Sequence, residues 1–238
     1  MATVIRIGEI AIQVTHKDIK NIHLSVYPPE GLVRISAPKG MAVETIRVFA
    51  IAKVRWIRKQ QRKLREQERE TPREFINRES HYLWGKRYLL KVEECDAPPS
   101  ILLRHREMLF RVRPGADLAK RESVLDEWYR QAIKDALPGL LKRWERRFGV
   151  SVSGFLIRRM KTRWGTCTPG RRTVRLNLEL AKKPPECLEY ILVHEMVHLL
   201  EPTHNSRFVE LMDMHIPKWR QYRQELNRLP VRHEKWMY

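Results

Sequence analysis

The chain has 238 residues, of which 42% are hydrophobic, so it can build one large domain or two small ones around a real apolar core. Lysine and arginine outnumber aspartate and glutamate by 47 to 28, and the net charge of +19 favours polyanionic partners such as nucleic acid or nucleotides. Three cysteines argue against a disulfide framework, and the lack of a signal peptide or a membrane-length apolar stretch predicts a cytoplasmic protein with no membrane partner.

Short strands and one helix are predicted for the beginning of the chain. Apolar residues alternate on either side of Gly8 and Glu9, and again within 22–26 and 33–37, which predicts short antiparallel strands. Apolar residues at helical spacing predict a helix over residues 42–70. Its second half is almost entirely charged or polar, so this half is either a solvated arm or a surface that contacts phosphates.

Further strands are predicted over residues 80–113, and Pro114 with Gly115 marks the expected boundary between two halves. Proline and glycine together are a strong local signal that a regular element ends. We therefore expect an N-terminal β-rich part with one long charged helix, residues 1–115, followed by a second part, residues 116–238.

A long helix is predicted over residues 117–148, where a continuous apolar face runs up to Gly149. Pro138 lies inside this pattern, and it predicts a kink or two abutting helices. Apolar alternation predicts strands within residues 154–178, and helical spacing predicts two more helices within residues 204–229.

The motif His194-Glu195-Met196-Val197-His198 lies in a stretch that is apolar almost all round, which predicts a buried helix. Positions i and i+4 share one face of a helix, so His194 and His198 can present two imidazoles to one zinc ion. Glu195 lies beside them, where its carboxylate can take a proton from a metal-activated water. Buried polar groups are costly unless something satisfies them, which favours a metal over two hydrogen-bonded core histidines.

A third ligand is expected from the segment that follows. Pro202 ends the helix, because the residue before a proline disfavours helical geometry, and the chain then supplies His204. The alternatives for this position are Glu201, Glu210 and His215. Three protein ligands are typical of a catalytic zinc, since a structural zinc normally has four.

The segment 155–178, which precedes the motif, is strongly basic. It has no acidic residue and seven basic ones: Arg158, Arg159, Lys161, Arg163, Arg171, Arg172 and Arg175. On strands beside the metal-bearing helix, these side chains can bind a substrate carboxylate, stabilise an oxyanion or hold phosphate. The alternative is a set of outward-facing arginines on a half-exposed sheet.

Three motifs together resemble the YgjP-like metallopeptidase domain family, which is related to SprT-type zinc proteases. The segment 161–167, with sequence KTRWGTC, is similar to the family's Arg-Trp-Gly-Ser-Cys signature, with Thr166 where serine is commoner. The other two are HEMVH at 194–198 and HNSRF at 204–208. The N-terminal strands and the long helix also look like the family, so the likeness covers nearly the whole chain.

The resemblance implies an α+β fold of the minimal zincin type, in which a small sheet packs on the zinc-bearing helix and residues 116–238 form the catalytic part. It implies three ligands for Zn²⁺: His194, His198 and His204. Glu195 would act as the general base, and Arg163 and Trp164 of the signature would bind substrate in the cleft.

The leading functional hypothesis is a zinc-dependent peptidase whose protein or peptide substrate lies along an exposed sheet edge. An alternative is a metal-dependent nucleoside triphosphate pyrophosphohydrolase, in which the basic cleft holds the nucleotide. A third hypothesis is a non-enzymatic protein that binds nucleic acid through its basic surface and uses the metal only for stability.

Overall fold

The computed structural model describes four stretches of the chain: residues 3–27, 31–66, 73–160 and 163–228. These residues form three small sheets and six α-helices, which confirms the predicted α+β class. The chain divides into two compact units, one formed by Met1–Glu70 with Pro230–Tyr238 and the other by Thr71–Leu229. Each unit has its own cluster of buried apolar residues.

The first unit is built on a four-stranded sheet in the order β1-β2-β4-β3. Its strands are β1 (Thr3–Ile7), β2 (Ile10–Lys17), β3 (His23–Tyr27) and β4 (Leu32–Pro38). The antiparallel pairs β1–β2 and β3–β4 match the predicted ones, and β2 and β4 pair in parallel at the centre. Gly8 has a φ of 57°, the left-handed conformation that a tight turn between β1 and β2 requires.

Two helices, α1 (Val43–Ala52) and α2 (Val54–Glu66), follow this sheet where one helix was predicted. The break falls at Lys53, whose φ of −100° and ψ of 1° depart from helical values. Ile46 of α1 and Ile57 of α2 are both buried in the core of the sheet, so the break lets both helices face one core. Residues 67–70 of the predicted helix lie outside the described residues.

The second unit begins with another four-stranded sheet, in the order β5-β6-β8-β7. Its strands are β5 (Ser80–Leu83), β6 (Lys86–Glu94), β7 (Ser100–Arg104) and β8 (Glu107–Val112). They agree with the strands predicted over residues 80–113. At the turn between β5 and β6, the N–H of Trp84 donates to the carbonyl of Ala181 at 2.8 Å.

The boundary predicted at Pro114 and Gly115 is not where the compact units divide, because that division falls after residue 70. Phe110 of β8 and Tyr129 of the following helix belong to one buried cluster. Pro114 and Gly115 therefore form a turn inside the second unit, and the sheet β5–β8 shares its core with the helices and strands that follow.

The long helix α3 (Leu118–Phe148) runs through Pro138 without dividing, so the prediction of two abutting helices is wrong. A proline in a helix interior removes one backbone hydrogen bond and costs about 3 kcal/mol. Leu137 and Trp144 are buried around it, and this packing offsets the loss. The helix ends, as predicted, at Gly149 in the left-handed conformation.

A three-stranded sheet in the order β10-β11-β9 lies next to the helix that carries the motif. Its strands are β9 (Gly154–Arg158), β10 (Gly165–Thr168) and β11 (Thr173–Asn177). β11 pairs in parallel with β9 and antiparallel with β10. The sequence predicted strands at β9 and β11 but not at β10, which is an edge strand.

The remaining helices are α4 (Pro185–Val197), α5 (Ser206–His215) and α6 (Trp219–Arg228). Nine of the thirteen residues of α4 are buried, which confirms the predicted buried helix. It packs on β10, β11, α5 and α6. In the described part of the chain, none of the helices combines the length and the apolar character needed to cross a bilayer.

Candidate metal centre

The three predicted ligands come together where α4 ends and α5 begins. His194 lies in the last turn of α4, and His198 follows its last residue. The N–H of Glu201 still donates to the carbonyl of Val197 at 2.8 Å, so the chain curls for one more turn before Pro202. It then returns His204 to the same place.

The imidazoles of His194, His198 and His204 converge on one point. One ligand nitrogen from each lies within 4.8 Å of the others, and Nε2 of His194 is 3.1 Å from Nε2 of His204. Zinc–nitrogen bonds of about 2.0–2.1 Å in tetrahedral geometry place two ligating nitrogens roughly 3.3 Å apart. The spacing therefore fits a single divalent ion, which would satisfy both facing nitrogens.

The ring of Phe208 packs against all three imidazoles. Its ring is buried, and its centroid lies 5.0, 4.8 and 4.6 Å from the ring centroids of His194, His198 and His204. Asn205 caps α5, since its Oδ1 accepts the N–H of Phe208 at 3.0 Å. The cap fixes the start of α5, so it holds both the phenyl ring and the adjacent histidine.

The protonation of the histidines suits metal binding. Nδ1 of His198 lies 3.1 Å from the carbonyl oxygen of Glu201 and donates to it, which leaves Nε2 free to ligate. Burial lowers the pKa of His194 to about 3, and the neighbouring His198 and His204 act in the same direction. Burial also lowers the pKa of His204. Both imidazoles are therefore neutral at pH 7, the form that binds a metal.

The structure brings His204, rather than any of its three rivals, to the pair of helix histidines. The carboxylate of Glu201 accepts hydrogen bonds from the N–H and Oγ1 of Thr203 at 3.2 and 2.9 Å. Glu210 is exposed on α5, and the ring of His215 packs against Phe148 at 4.6 Å. Among the described residues, the three histidines are the group that can hold a metal.

Glu195 lies in the same turn of α4 as His194 and is only 5% exposed. Burial raises the pKa of its carboxyl to about 7, and the guanidinium of Arg163 partly opposes this effect. Its side chain lies against the backbone of β10, because a Cβ at Gly165 would come within 2.7 Å of Oε1 and 2.8 Å of Cγ of Glu195. Position 165 therefore has no room for a side chain.

Arg163 and Trp164, the predicted substrate-binding residues, immediately precede β10. Arg163 is exposed, and its positive charge acts to lower the pKa of the Glu195 carboxyl. Trp164 is half-buried and packs on the core of the second unit.

Asn177, which was not among the predicted site residues, holds this segment in place. It is 5% exposed, and its Nδ2 donates to the carbonyls of Met160 and Arg163 at 2.8 and 2.9 Å. Its Oδ1 accepts the N–H groups of Met160 and Glu179 at 3.3 and 3.2 Å. One side chain thus ties both ends of segment 160–163 to β11. An asparagine before a new helical turn is a capping signal, and that signal could have identified it.

The basic segment is only partly directed at the site. Arg159 pairs with Glu122 at 3.1 Å and also with Asp126. Four other arginines of the segment are exposed on the sheet and its turns: Arg158, Arg171, Arg172 and Arg175. Lys161 lies outside the described residues. A cation that the sequence did not indicate is Arg223 of α6, whose charge helps to lower the pKa of His194 and of His204.

Comparison of the sequence with models of known protein families identifies the family of this chain. The model of the YgjP-like metallopeptidase domain matches residues 20–229. The crystal structure of the metallopeptidase zymogen of Pyrococcus abyssi abylysin is 22% identical, over 40% of this chain and 90% of that chain, with a TM-score of 0.35. A likeness of that size does not establish a shared fold. No curated protein matches the chain significantly.

Proposed function

We propose a function from one premise: the chain belongs to the YgjP-like metallopeptidase domain family. Membership supports a metal-dependent hydrolase. Our proposal is that the metal is zinc, that the bond cleaved is a peptide bond and that the catalytic part is a minimal zincin. The observation that carries the proposal is the convergence of three imidazoles near a buried carboxyl group.

Three side chains would hold the ion: His194, His198 and His204. When bound, a divalent zinc supplies Lewis acidity, which activates water and polarises a carbonyl group. The first ligand lies in the last turn of a buried helix, the second is the residue after that helix, and the third is held by the capped start of α5, so the donors are preorganised. Three protein ligands leave a coordination position open, as hydrolysis requires.

Glu195 would act as the general base. A carboxyl group with a pKa of about 7 is poised between its two protonation states at neutral pH. It can therefore take a proton from the attacking water and pass it to the nitrogen of the leaving amine. Its close packing against Gly165 restricts the positions that the carboxylate can take, and such preorganisation favours proton transfer.

The substrate would add to the free edge of β10. The N–H of Asn177 donates to the carbonyl of Trp164 at 2.9 Å, so these opposed residues form a hydrogen-bonded pair. Antiparallel ladders alternate, and the next residues along β10, Gly165 and Cys167, therefore direct their backbone groups away from β11. An extended peptide that pairs with this edge passes Glu195, against which Gly165 lies.

The signature residues would then have different tasks. The exposed guanidinium of Arg163 is the candidate to bind a substrate carbonyl or to stabilise an oxyanion. Trp164 packs on the core and would form a fixed wall beside the edge strand.

Metal analysis and turnover test this proposal. We expect near-stoichiometric zinc in the wild type and its loss in His194→Ala and His204→Ala. Glu195→Gln should keep the zinc but lose cleavage of casein by at least about 10²-fold, the scale of general-base catalysis. Turnover by Glu195→Gln at the wild-type rate would show that Glu195 is not the general base. Cleavage of casein by metal-free wild type would show that the activity does not depend on the metal centre.

A second candidate is hydrolysis of a nucleoside triphosphate. The observation that favours it is that two guanidinium groups, those of Arg163 and Arg223, act on the site from different elements. Such groups suit phosphate oxygens. Release of phosphate or pyrophosphate by the zinc-loaded wild type, absent in Glu195→Gln and without casein cleavage, would replace the peptidase by this activity.

A further inference from the structure

One face of α2 in the first unit carries an unbalanced positive charge. Four exposed side chains define what we call the α2 basic face: Arg55, Arg58, Lys59 and Arg62. Residues 53–65 contain seven lysines and arginines and no acidic residue. The opposite side of the helix is fixed, since Ile57 is fully buried and Nε2 of Gln61 donates to the carbonyl of Gly31 at 2.8 Å.

This charge destabilises the helix that carries it. Arg55 and Lys59, like Arg58 and Arg62, are four residues apart, and like charges at that spacing repel. In the described part of the chain, no carboxylate lies within salt-bridge distance of any of the four.

Cations on α3 of the second unit, by contrast, pair with carboxylates. Arg121 of α3 pairs with Glu94 at 2.9 Å, and Lys134 pairs with Glu127 at 3.7 Å. The contrast points to a function for the α2 basic face that outweighs the repulsion within it.

An aromatic ring lies within the same surface. Trp56 is 43% exposed, between Arg55 and the cations one turn further on. At a rise of about 1.5 Å per residue, Arg55 and Arg62 are roughly 10 Å apart along the helix, a distance that spans neighbouring phosphates of an extended strand. Cations that follow a backbone, interleaved with an exposed aromatic ring, are the features that bind single strands.

We propose that the α2 basic face binds single-stranded nucleic acid. The guanidinium and ammonium groups contact phosphates, and the indole of Trp56 stacks on an unpaired base. A duplex keeps its bases stacked inside and offers none to the indole. An anionic membrane fits less well, because a helix that lies on a membrane presents an apolar stripe, whereas Ile57 of α2 is buried in the protein.

The test is salt-dependent binding of the full chain to a fluorescent 20-nucleotide single strand. The variant Arg55→Gln/Lys59→Gln/Arg62→Gln should bind at least about tenfold more weakly at low salt. The slope of log K against log salt should become less steep by about two, because each phosphate contact contributes about 0.7. Trp56→Ala should weaken binding of the single strand about fivefold or more and leave duplex binding unchanged.

The matched control removes the same charge elsewhere on the first unit. Lys17, Lys20 and Lys39 are exposed and outside α2, and the triple change to glutamine should leave the affinity within twofold. An equal loss in this control would show that only net charge matters and would overturn the proposal. Tighter binding to duplex than to single strand, or to vesicles with anionic lipid than to either, would also overturn it. The assay needs no zinc and no turnover, so its outcome is independent of the peptidase proposal.

Discussion

Replacing Gly165 by alanine should separate metal binding from catalysis. The new Cβ would lie 2.7 Å from Oε1 of Glu195, 2.8 Å from its Cγ and 2.8 Å from Cγ2 of Ile191. These distances are well inside ordinary contact, so the carboxylate must retreat by roughly 0.7 Å or β10 must move away from α4. A displacement of about 1 Å at a catalytic group costs about 10²-fold in rate.

We therefore expect kcat/KM of Gly165→Ala to fall about 10²-fold on whichever substrate the wild type turns over, with zinc content unchanged. Overpacking should also lower the free energy of unfolding by about 1–3 kcal/mol. Gly154→Ala is the matched control, because a Cβ there, in β9 of the same sheet, meets nothing within 4 Å. An unchanged kcat/KM in Gly165→Ala would contradict this prediction, since it would mean that catalysis does not depend on the carboxylate of Glu195 in this position.

Three further expectations follow from contacts near and away from the metal centre. Asn177→Asp keeps both acceptor contacts but loses the two donated hydrogen bonds, so kcat/KM should fall about tenfold or more while zinc content stays constant; equal activity would show that segment 160–163 needs no anchor. Phe208→Ala removes the ring beneath the imidazoles, and we expect a loss of about 3–5 kcal/mol in the free energy of unfolding and weaker zinc binding by titration calorimetry; unchanged zinc affinity would contradict a supporting role. Burial acts to raise the pKa of Glu79, but hydrogen bonds from His81 and from backbone N–H groups outweigh it and lower the pKa to about 2. Its contribution to stability is therefore complete above about pH 4.5 and is lost as the pH falls towards 2; in Glu79→Gln, the melting temperature measured across this range should lose part of its pH dependence.

Local patterns predicted those parts of the structure that depend on neighbours in the sequence. The turn at Gly8 and the buried helix that carries His194 and His198 are examples, because their signals lie within one or two turns of the chain. His204 also belongs to this class, since the proline before it and the cap after it restrict where the chain can go.

The features that the sequence did not predict depend on distant contacts. Pro114 and Gly115 indicate a turn correctly, but only the shared core of β8 and α3 shows that the turn lies inside a unit. β10 has four residues and no apolar alternation, so it is a strand only because β11 pairs with it. Asn177 acts on residues 14 and 17 positions earlier, and no periodic pattern reports such a contact.

The candidate centre has two parts, the three histidines and the contact of Glu195 with β10, which join residues at very different separations along the chain. The three imidazoles come from one stretch, in which His194 and His204 are ten residues apart, so little chain has to close to bring them together. The contact between Gly165 and Glu195 joins positions thirty residues apart and requires the edge strand to be docked on the helix. If the three histidines bind the ion and Glu195 transfers the proton, as proposed, a partly unfolded chain needs less of its structure for the first task than for the second. In the proposed mechanism, loss of the sheet would therefore abolish catalysis before the three histidines lost their affinity for the metal.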